Sequence, residues 1–291
     1  MTTPTPDPTR QVDGVLERSL RDLDIPPRPL ILDRIRDEMH RPEPDPGRIA
    51  RLIGRDVGLA AGLIKTANSP YFGYTLRARS VAEALLMLGL DTASRAIAAL
   101  SLRRAFPDGA RYERFWHNSA QIAALSGWLA QRCSGLGVPA DNAYTYGLFR
   151  DCGIVILLRR YADYPRVLAA ANADPEGSFT GHERAALPTE HALVGSLLAQ
   201  DWWLPDALAL AIRHHHARPL LEHPDAGLPT PSASLVALAQ TAERLVQLAT
   251  GGACTAEWAK LGPACLARLG LAEEGMEALA GEAAALLGDI D

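Results

Sequence analysis

The sequence predicts an all-α protein made of two helical lobes. Apolar residues recur at helical spacing along most of its 291 residues, and no segment alternates apolar and polar residues as a half-buried strand would. A Pro-Asp-Gly break at 107–109 separates two such helical stretches. We therefore expect a disordered N-terminus over 1–11, an N-terminal lobe over 12–106 and a C-terminal lobe over 107–291.

The helices of the N-terminal lobe are predicted in the following order. Residues 1–11 contain mostly Thr and Pro and have nothing apolar to bury, so the first amphipathic helix begins at Val12 and ends near Asp22. The prolines of 24–28 stop it, because proline donates no backbone hydrogen bond and restricts the residue before it. Further helices are predicted by apolar spacing over Leu30–Met39, Ile49–Ile53 and Leu59–Ile64, by a capping box at Ser80 and Glu83, and by a cap at Asp91 before a helix that runs to Phe106.

The C-terminal lobe begins with a long helix over about 111–133, which has an apolar side. Periodicity then predicts helices over 140–150, 153–161, 189–202, 205–215, 232–249 and 272–287. The segment 217–231 is rich in proline and polar residues, which is typical of a loop. Gly147 and Gly153 are predicted to allow close helix packing.

Composition indicates an ordinary globular protein, with 48% hydrophobic and 22% charged residues. No run approaches the roughly 20 apolar residues of a membrane span, and no signal-peptide pattern is present, so we expect no membrane contact and a cytoplasmic location. The four cysteines form no C-x-x-C pair and are predicted to be reduced thiols. Residues 28–114 hold 15 basic and 10 acidic side chains, an excess too small to predict nucleic-acid binding.

Three stretches, in this order, resemble the HDOD family of bacterial signalling proteins, which are relatives of the HD phosphohydrolases. They are IKTANSPYFG at 64–73 followed by SVAEALLMLG at 80–89, then YGLFRDCG at 146–153, then EHALVGSLLAQDWWLP at 190–205 followed by AIRHHH at 211–216. The resemblance covers roughly residues 15–250. It implies an all-α fold whose C-terminal lobe is like an HD domain, and a regulatory role.

The resemblance also implies that the catalytic site is altered. HD phosphohydrolases hold a divalent metal with a His, a His-Asp pair and a later Asp, and these positions match His117, Arg150-Asp151 and Gln240. Arg150 brings a permanent positive charge to a metal-ligand position, and Gln240 offers only a neutral carbonyl. We therefore expect no catalytic activity.

A second set of residues survives at the positions where two-metal HD relatives hold their second metal. His191, His215 and His216, together with Asp151, form a three-His, one-carboxylate set that suits Zn, Mn or Fe. The alternative is a hydrogen-bonded polar cluster, because a His at a helix C-terminus also interacts well with free carbonyls. We expect no cofactor, with a divalent metal at this set as the other interpretation.

The sequence therefore predicts a non-catalytic signalling module that binds a partner protein or a small anionic ligand, with nucleotides among the candidates. Its candidate ligand pocket consists of His117, Arg150, Asp151, His191, His215, His216 and Gln240, with Arg150 as the anion contact. The alternative is a metal-dependent phosphohydrolase or phosphodiesterase with a remodelled site. Within the pocket, we predict an ion pair between Arg150 and Asp151, or a histidine donor to Asp151 if the arginine cannot fold back.

Overall fold

A computed structural model describes residues 22–106, 109–133, 135–222, 228–252 and 254–288. Within these ranges the chain is helical and contains no strand, which confirms the predicted all-α class. The predicted disordered terminus, nearly all of the first predicted helix and two residues of the 107–109 break lie outside the described residues. The division into two lobes at that break stays a prediction, and we use the lobe names for the helices before and after it.

Within the described residues, four α-helices form the N-terminal lobe: α1 (Leu30–Met39), α2 (Pro46–Gly54), α3 (Val57–Ala67) and α4 (Val81–Arg104). Side-chain caps begin three of them, since Asp45, Asp56 and Ser80 each accept a backbone N–H of the following turn. At the predicted capping box, Ser80 accepts from the Glu83 N–H as expected, at 3.1 Å. The Glu83 carboxylate accepts from the backbone of Arg79 at 2.7 Å, one residue earlier than the box requires.

Helix α4 contains a break at Gly89, whose φ of 74° lies in the left-handed region that favours glycine. The sequence predicts two helices here, with Asp91 as the second cap. In the structure the segments adjoin across Gly89, and Asp91 lies inside α4 rather than before it. By length and composition α4 is the one described helix apolar enough to cross a membrane. The break at Gly89 leaves no straight segment near the roughly 20 residues that a span needs.

The C-terminal lobe contains the remaining helices. They are α5 (Ala110–Arg132), α6 (Ala140–Phe149), α7 (Cys152–Arg160), α8 (Tyr164–Ala173), α9 (Phe179–Ala186), α10 (His191–Asp201), α11 (Asp206–His214), α12 (Arg218–Glu222), α13 (Thr230–Thr250), α14 (Glu257–Leu269) and α15 (Met276–Gly288). Helix α13 is central and packs against α5, α11, α14 and α15.

Four of these helices were not predicted. Helices α8 and α9 are short, and each buries only two or three residues, so neither shows a long apolar stripe. Helix α12 corrects the predicted loop over 217–231, where a five-residue helix forms beside the prolines. Helix α14 contains Pro263 in its interior. Because a proline normally ends a helix, the apolar spacing on either side of it does not predict one continuous helix.

The segment before α1 is bound to the C-terminal lobe. The indole N–H of the buried Trp202 donates to the Pro26 carbonyl at 3.3 Å, and the Arg159 guanidinium bonds Asp24 at 2.8 Å. Arg28 bonds the Asp201 carboxylate at 3.1 Å and lies 3.7 Å from the ring centroid of the half-exposed Trp203. The two lobes are thus joined at this segment as well as through the start of α5.

Candidate functional site

Four side chains from three places in the C-terminal lobe meet at one point. Asp151 precedes α7, His191 is the first residue of α10, and His215 and His216 follow α11. One ligand atom from each lies within 4.8 Å of all the others. We call this group the three-His cluster.

Close packing of α7 against α10 brings the cluster together. A Cβ added to Gly153 would lie 2.0 Å from the His191 carbonyl oxygen, so only glycine allows the two backbones to approach this closely. Gly147 plays the same role between α6 and α5, where an added Cβ would lie 2.5 Å from the Ala123 Cα. Both glycines therefore do what the sequence predicts for them.

Each ring of the three-His cluster is oriented by an acceptor at its Nδ1 atom. His191 Nδ1 lies 2.8 Å from the Glu183 carboxylate, His215 Nδ1 lies 2.8 Å from the Ile212 carbonyl, and His216 Nδ1 lies 2.7 Å from Glu257 Oε1. A carbonyl or carboxylate can only accept, so all three Nδ1 atoms carry a proton. The Glu183 carboxylate also accepts from the His191 backbone N–H and from the Tyr164 hydroxyl.

The three Nε2 atoms consequently face one another. His191 Nε2 lies 3.1 Å from His215 Nε2 and 3.2 Å from His216 Nε2, and Asp151 Oδ1 lies 3.2 Å from His215 Nε2. With every Nδ1 protonated, neutral rings direct three nitrogen lone pairs and a carboxylate oxygen toward the same space. This arrangement requires a proton or a cation at its centre.

Burial sets the charges in this cluster. Burial lowers the pKa of His216 well below its usual value, and the neighbouring His215 and His191 lower it further. Burial also acts to lower the pKa of His191, but the Glu183 carboxylate outweighs it and raises that pKa overall. Burial therefore favours the neutral imidazole at His216, whereas the Glu183 carboxylate favours the charged form of His191.

Arg150 occupies the other side of Asp151. It closes α6, and Asp151 opens α7 with non-helical backbone angles, so the two side chains can turn toward each other. Arg150 Nη2 lies 2.7 Å from Asp151 Oδ2 and 3.0 Å from Glu243 Oε2, which confirms the predicted ion pair and adds a second carboxylate. We call these three side chains the arginine cluster.

The arginine cluster is largely buried, and in it one guanidinium faces two carboxylates. Burial disfavours the charged form of Arg150, but Asp151 and Glu243 outweigh it and raise its pKa. Burial would raise the pKa of Asp151, yet the Arg150 guanidinium outweighs it and holds that pKa well below its usual range. Gln240 supports the group by donating to Glu243 Oε2 at 3.3 Å. Because its guanidinium faces two carboxylates, Arg150 does not present the free charge expected of an anion contact.

Not all of the predicted pocket residues meet. His117 is exposed on α5. It lines a separate cavity together with residues of the N-terminal lobe, and Asp151 is not among the residues that line that cavity. The other six predicted residues lie in the two clusters around Asp151 or support them. Of the three-His cluster, His216 lines a cavity of about 400 Å³, together with Glu257 and Lys260.

Sequence reasoning missed the three carboxylates that complete the site: Glu183, Glu243 and Glu257. Glu243 gives a recognisable signal, because it lies three residues after Gln240 and therefore on the same face of the helix. Glu183 belongs to an unpredicted helix, and Glu257 lies 41 residues from its partner His216. Neither has a sequence pattern that points to the cluster.

Solved structures share this fold. A provisionally named phosphohydrolase from Shewanella amazonensis superposes with a TM-score of 0.66 at 19% identity, covering 94% of this chain and 97% of the other. An HDOD domain protein of unknown function from Geobacter sulfurreducens gives 0.64 at 22% identity, covering 95% of each chain. A provisionally named signal transduction protein from Marinobacter aquaeolei also gives 0.64 at 22%, covering 97% of this chain and 64% of the other. At these identities the likeness shows the fold alone.

Sequence comparison shows the family. An uncharacterized protein of Treponema pallidum is 27% identical over 200 residues, which is 67% of this chain and 38% of that protein. The chain thus spans well under half the length of this curated relative. The family profile of the HDOD domain matches residues 25–218, about two thirds of the chain, in agreement with the predicted resemblance. The chain belongs to the HDOD family.

Proposed function

We propose that this protein is a non-catalytic regulatory module that holds one divalent metal ion in the three-His cluster and responds to a signalling partner or a small anionic ligand. The observation that carries the proposal is Arg150, whose guanidinium lies between Asp151 and Glu243. Membership of the HDOD family and its likeness in fold to a provisionally named signal transduction protein support a regulatory role.

Arg150 argues against two-metal hydrolysis. In the HD arrangement, a metal beside the His-Asp pair lowers the pKa of a bound water and so generates the nucleophile. A guanidinium here supplies a positive charge but no acceptor, so it can neither bind a metal nor activate water. It also occupies the position beside Asp151 and Glu243 where a second cation would have to bind.

The three-His cluster fits a single metal ion on the evidence of its own geometry. Two nitrogens bound at about 2.0–2.1 Å to a tetrahedral zinc lie about 3.3 Å apart, close to the 3.1 and 3.2 Å between the Nε2 atoms here. Metal-binding histidines usually donate their other ring N–H to a carboxylate or a backbone carbonyl. Here the Glu183 and Glu257 carboxylates and the Ile212 carbonyl accept from the Nδ1 atoms in this way. We therefore favour the metal interpretation of this set over the hydrogen-bonded cluster.

A bound ion would supply a fixed charge and a rigid link among three elements. His191, His215, His216 and Asp151 would hold it, and they join α7, α10 and the end of α11. Neutral imidazoles and one carboxylate suit Zn, Mn or Fe. In this proposal the metal stabilises the arrangement of helices rather than carrying out a reaction.

Two measurements test the proposal together. Elemental analysis of the purified protein is expected to give about one Zn, Mn or Fe per chain, and none in a His191→Ala, His215→Ala double variant. Incubation with nucleotides and cyclic dinucleotides, with added Mn or Mg, is expected to give no hydrolysis above the protein-free rate.

Two results would contradict the proposal. Metal-dependent turnover that disappears in Asp151→Ala would identify the protein as a phosphohydrolase or phosphodiesterase with a remodelled site. Metal content equal in the wild type and the double variant, in protein shown by circular dichroism to be folded, would establish the cluster as purely hydrogen-bonded.

A further inference from the structure

A cavity of about 630 Å³ lies between the two lobes, apart from both clusters around Asp151. We call it the lobe pocket, and define it by Lys65, Arg77, Arg103, Trp116, His117 and Tyr144, which line it. These residues come from α3, the loop before α4, the end of α4, and helices α5 and α6. Its volume falls within the roughly 300–1,000 Å³ of small-molecule sites.

The charge of the lobe pocket differs from that of the whole protein. The chain carries a net charge of −5, yet the lining includes Lys65, Arg77 and Arg103 and no carboxylate. Among the described residues none of these three cations forms an ion pair, whereas the adjacent Arg104 bonds Asp56 at 2.7 Å. Unpaired cations in a concave site raise the local concentration of anions.

The polar and aromatic parts of the lobe pocket are held in place. Asn68 donates to the Ala78 carbonyl at 2.9 Å and accepts from its N–H at 2.7 Å, which fixes the loop next to Arg77. Tyr144 stacks on Tyr71 with ring centroids 4.8 Å apart and planes at 13°. Trp116 packs edge-on against Phe115 at 4.9 Å. An aromatic wall therefore stands in the same cavity as the three cations.

We propose that the lobe pocket binds a nucleotide, with its phosphates on Lys65, Arg77 and Arg103 and its base against Trp116 or Tyr144. Arginine and lysine form charge-assisted hydrogen bonds with phosphate oxygens. An aromatic ring can stack on any base, because every base has a π-face. The inference rests on the proposed regulatory function, whose anionic ligand it specifies, and it moves the anion contact from Arg150 to the lobe pocket.

The cavity also explains how a ligand would be sensed. Its walls come from both lobes, so a nucleotide that contacts Arg103 on α4 and Tyr144 on α6 stabilises one relative position of the lobes. A ligand shifts a conformational equilibrium only by its difference in affinity for the two states, and contacts on both sides provide such a difference.

Isothermal titration calorimetry on the full chain tests the inference with three kinds of probe. The probes are ATP and GTP, the nucleosides adenosine and guanosine, and inorganic tripolyphosphate. We expect at least one nucleotide to bind with a Kd below about 100 µM, and the nucleosides and tripolyphosphate to bind at least about tenfold more weakly, because each lacks one half of the contacts.

Variants locate the binding. Lys65→Gln with Arg103→Gln is expected to weaken nucleotide binding at least about tenfold, since each variant removes a charge-assisted hydrogen bond to phosphate. The matched control Arg104→Gln removes the neighbouring charge outside the cavity and is expected to leave the Kd within about twofold. Trp116→Leu with Tyr144→Leu tests the base contact in the same way.

Three outcomes would overturn the inference: no heat with either nucleotide, tripolyphosphate binding as tightly as ATP and GTP, or the Lys65 and Arg103 variant binding like the wild type. None of them affects the metal content or the absence of hydrolysis, so the proposed function is tested independently. Conversely, nucleotide hydrolysis that Asp151→Ala abolishes would contradict the proposed function. The lobe-pocket variants would still determine where the nucleotide binds.

Discussion

The two sides of Asp151 show two ways to satisfy a buried carboxylate. Its Oδ2 atom faces the arginine cluster, where a guanidinium lies 2.7 Å away, and its Oδ1 atom faces the three-His cluster, where His215 Nε2 lies 3.2 Å away. The first side consists entirely of protein groups, since the Arg150 guanidinium bonds both Asp151 and Glu243. On the second side, unprotonated histidine nitrogens face one another, so a proton or a cation must lie between them.

This difference separates stability from binding. The arginine cluster should contribute to the folded state under all conditions in which its carboxylates are ionised, because every partner belongs to the chain. The three-His cluster should contribute fully only when its central charge is supplied from outside. Substitutions on the two sides should therefore have different signatures.

The largest effect is expected at Arg150. Arg150→Ala leaves Asp151 and Glu243 buried without a countercharge, and breaking such a pair costs about 3–5 kcal/mol of unfolding free energy. Urea denaturation measures it. The control Arg132→Ala removes an exposed pair with Glu282 and should cost less than about 0.5 kcal/mol. A loss at Arg150 no greater than that of the control would mean that the two carboxylates are satisfied by water.

Metal removal is expected to have the next largest effect, and only on the other side of Asp151. With free metal at 100 times its Kd, binding to the folded state contributes about 2.7 kcal/mol, which EDTA should abolish. Denaturation with and without EDTA measures this contribution. His215→Ala should be insensitive to EDTA, while Arg132→Ala should respond like the wild type. An equal response in His215→Ala would place the stabilising ion elsewhere.

Two glutamates, the fully buried Glu183 and the partly buried Glu243, allow the two sides of Asp151 to be compared directly. Glu183→Gln weakens the acceptor of His191 Nδ1 and should reduce metal affinity about 10–100-fold, the usual effect of altering the group that orients a metal-binding histidine. Glu243→Gln alters the arginine cluster and should change metal affinity by less than about twofold. Competition with a chromophoric chelator measures both affinities. Similar losses in the two variants would show that the sides are not independent.

The smallest effect is expected at Gln240. Its amide donates to Glu243 at 3.3 Å, so Gln240→Ala should cost about 1 kcal/mol of unfolding free energy and leave the metal content unchanged. Gln240→Met, which keeps the volume, serves as the control for packing. Loss of metal in Gln240→Ala would show instead that this residue supports the three-His cluster.

Much of this site was predictable from the sequence, and the exceptions have physical causes. His191, His215, His216 and Asp151 were identified together because their residue types and order resemble a known pattern. The pairing of Arg150 with Asp151 followed from the cost of an isolated buried charge. In contrast, the sequence predicts His117 in the same pocket, whereas the structure places it on α5 at the lobe pocket. The position of a residue in a motif does not specify how its helix packs.

The fold shows the same division between local and long-range information. Long helices with broad apolar faces, such as α5 and α13, were predicted to within a few residues. The short helices α8 and α9 were missed because tertiary contacts supply most of their stability. Glu183 and Glu257 were missed for a related reason, as their partners are distant in sequence and only the packed structure brings them together.

The contacts of residues 24–28 have a consequence for how the protein unfolds. The chain reaches the N-terminal lobe only after bonding to Arg159, Asp201 and Trp202 in the C-terminal lobe, and it returns through α5. Neither lobe can open without breaking contacts that belong to the other. We therefore expect a single cooperative transition in heat or urea rather than two separate lobe transitions. The helical circular dichroism signal should be lost, and Trp202 should become exposed, at the same midpoint.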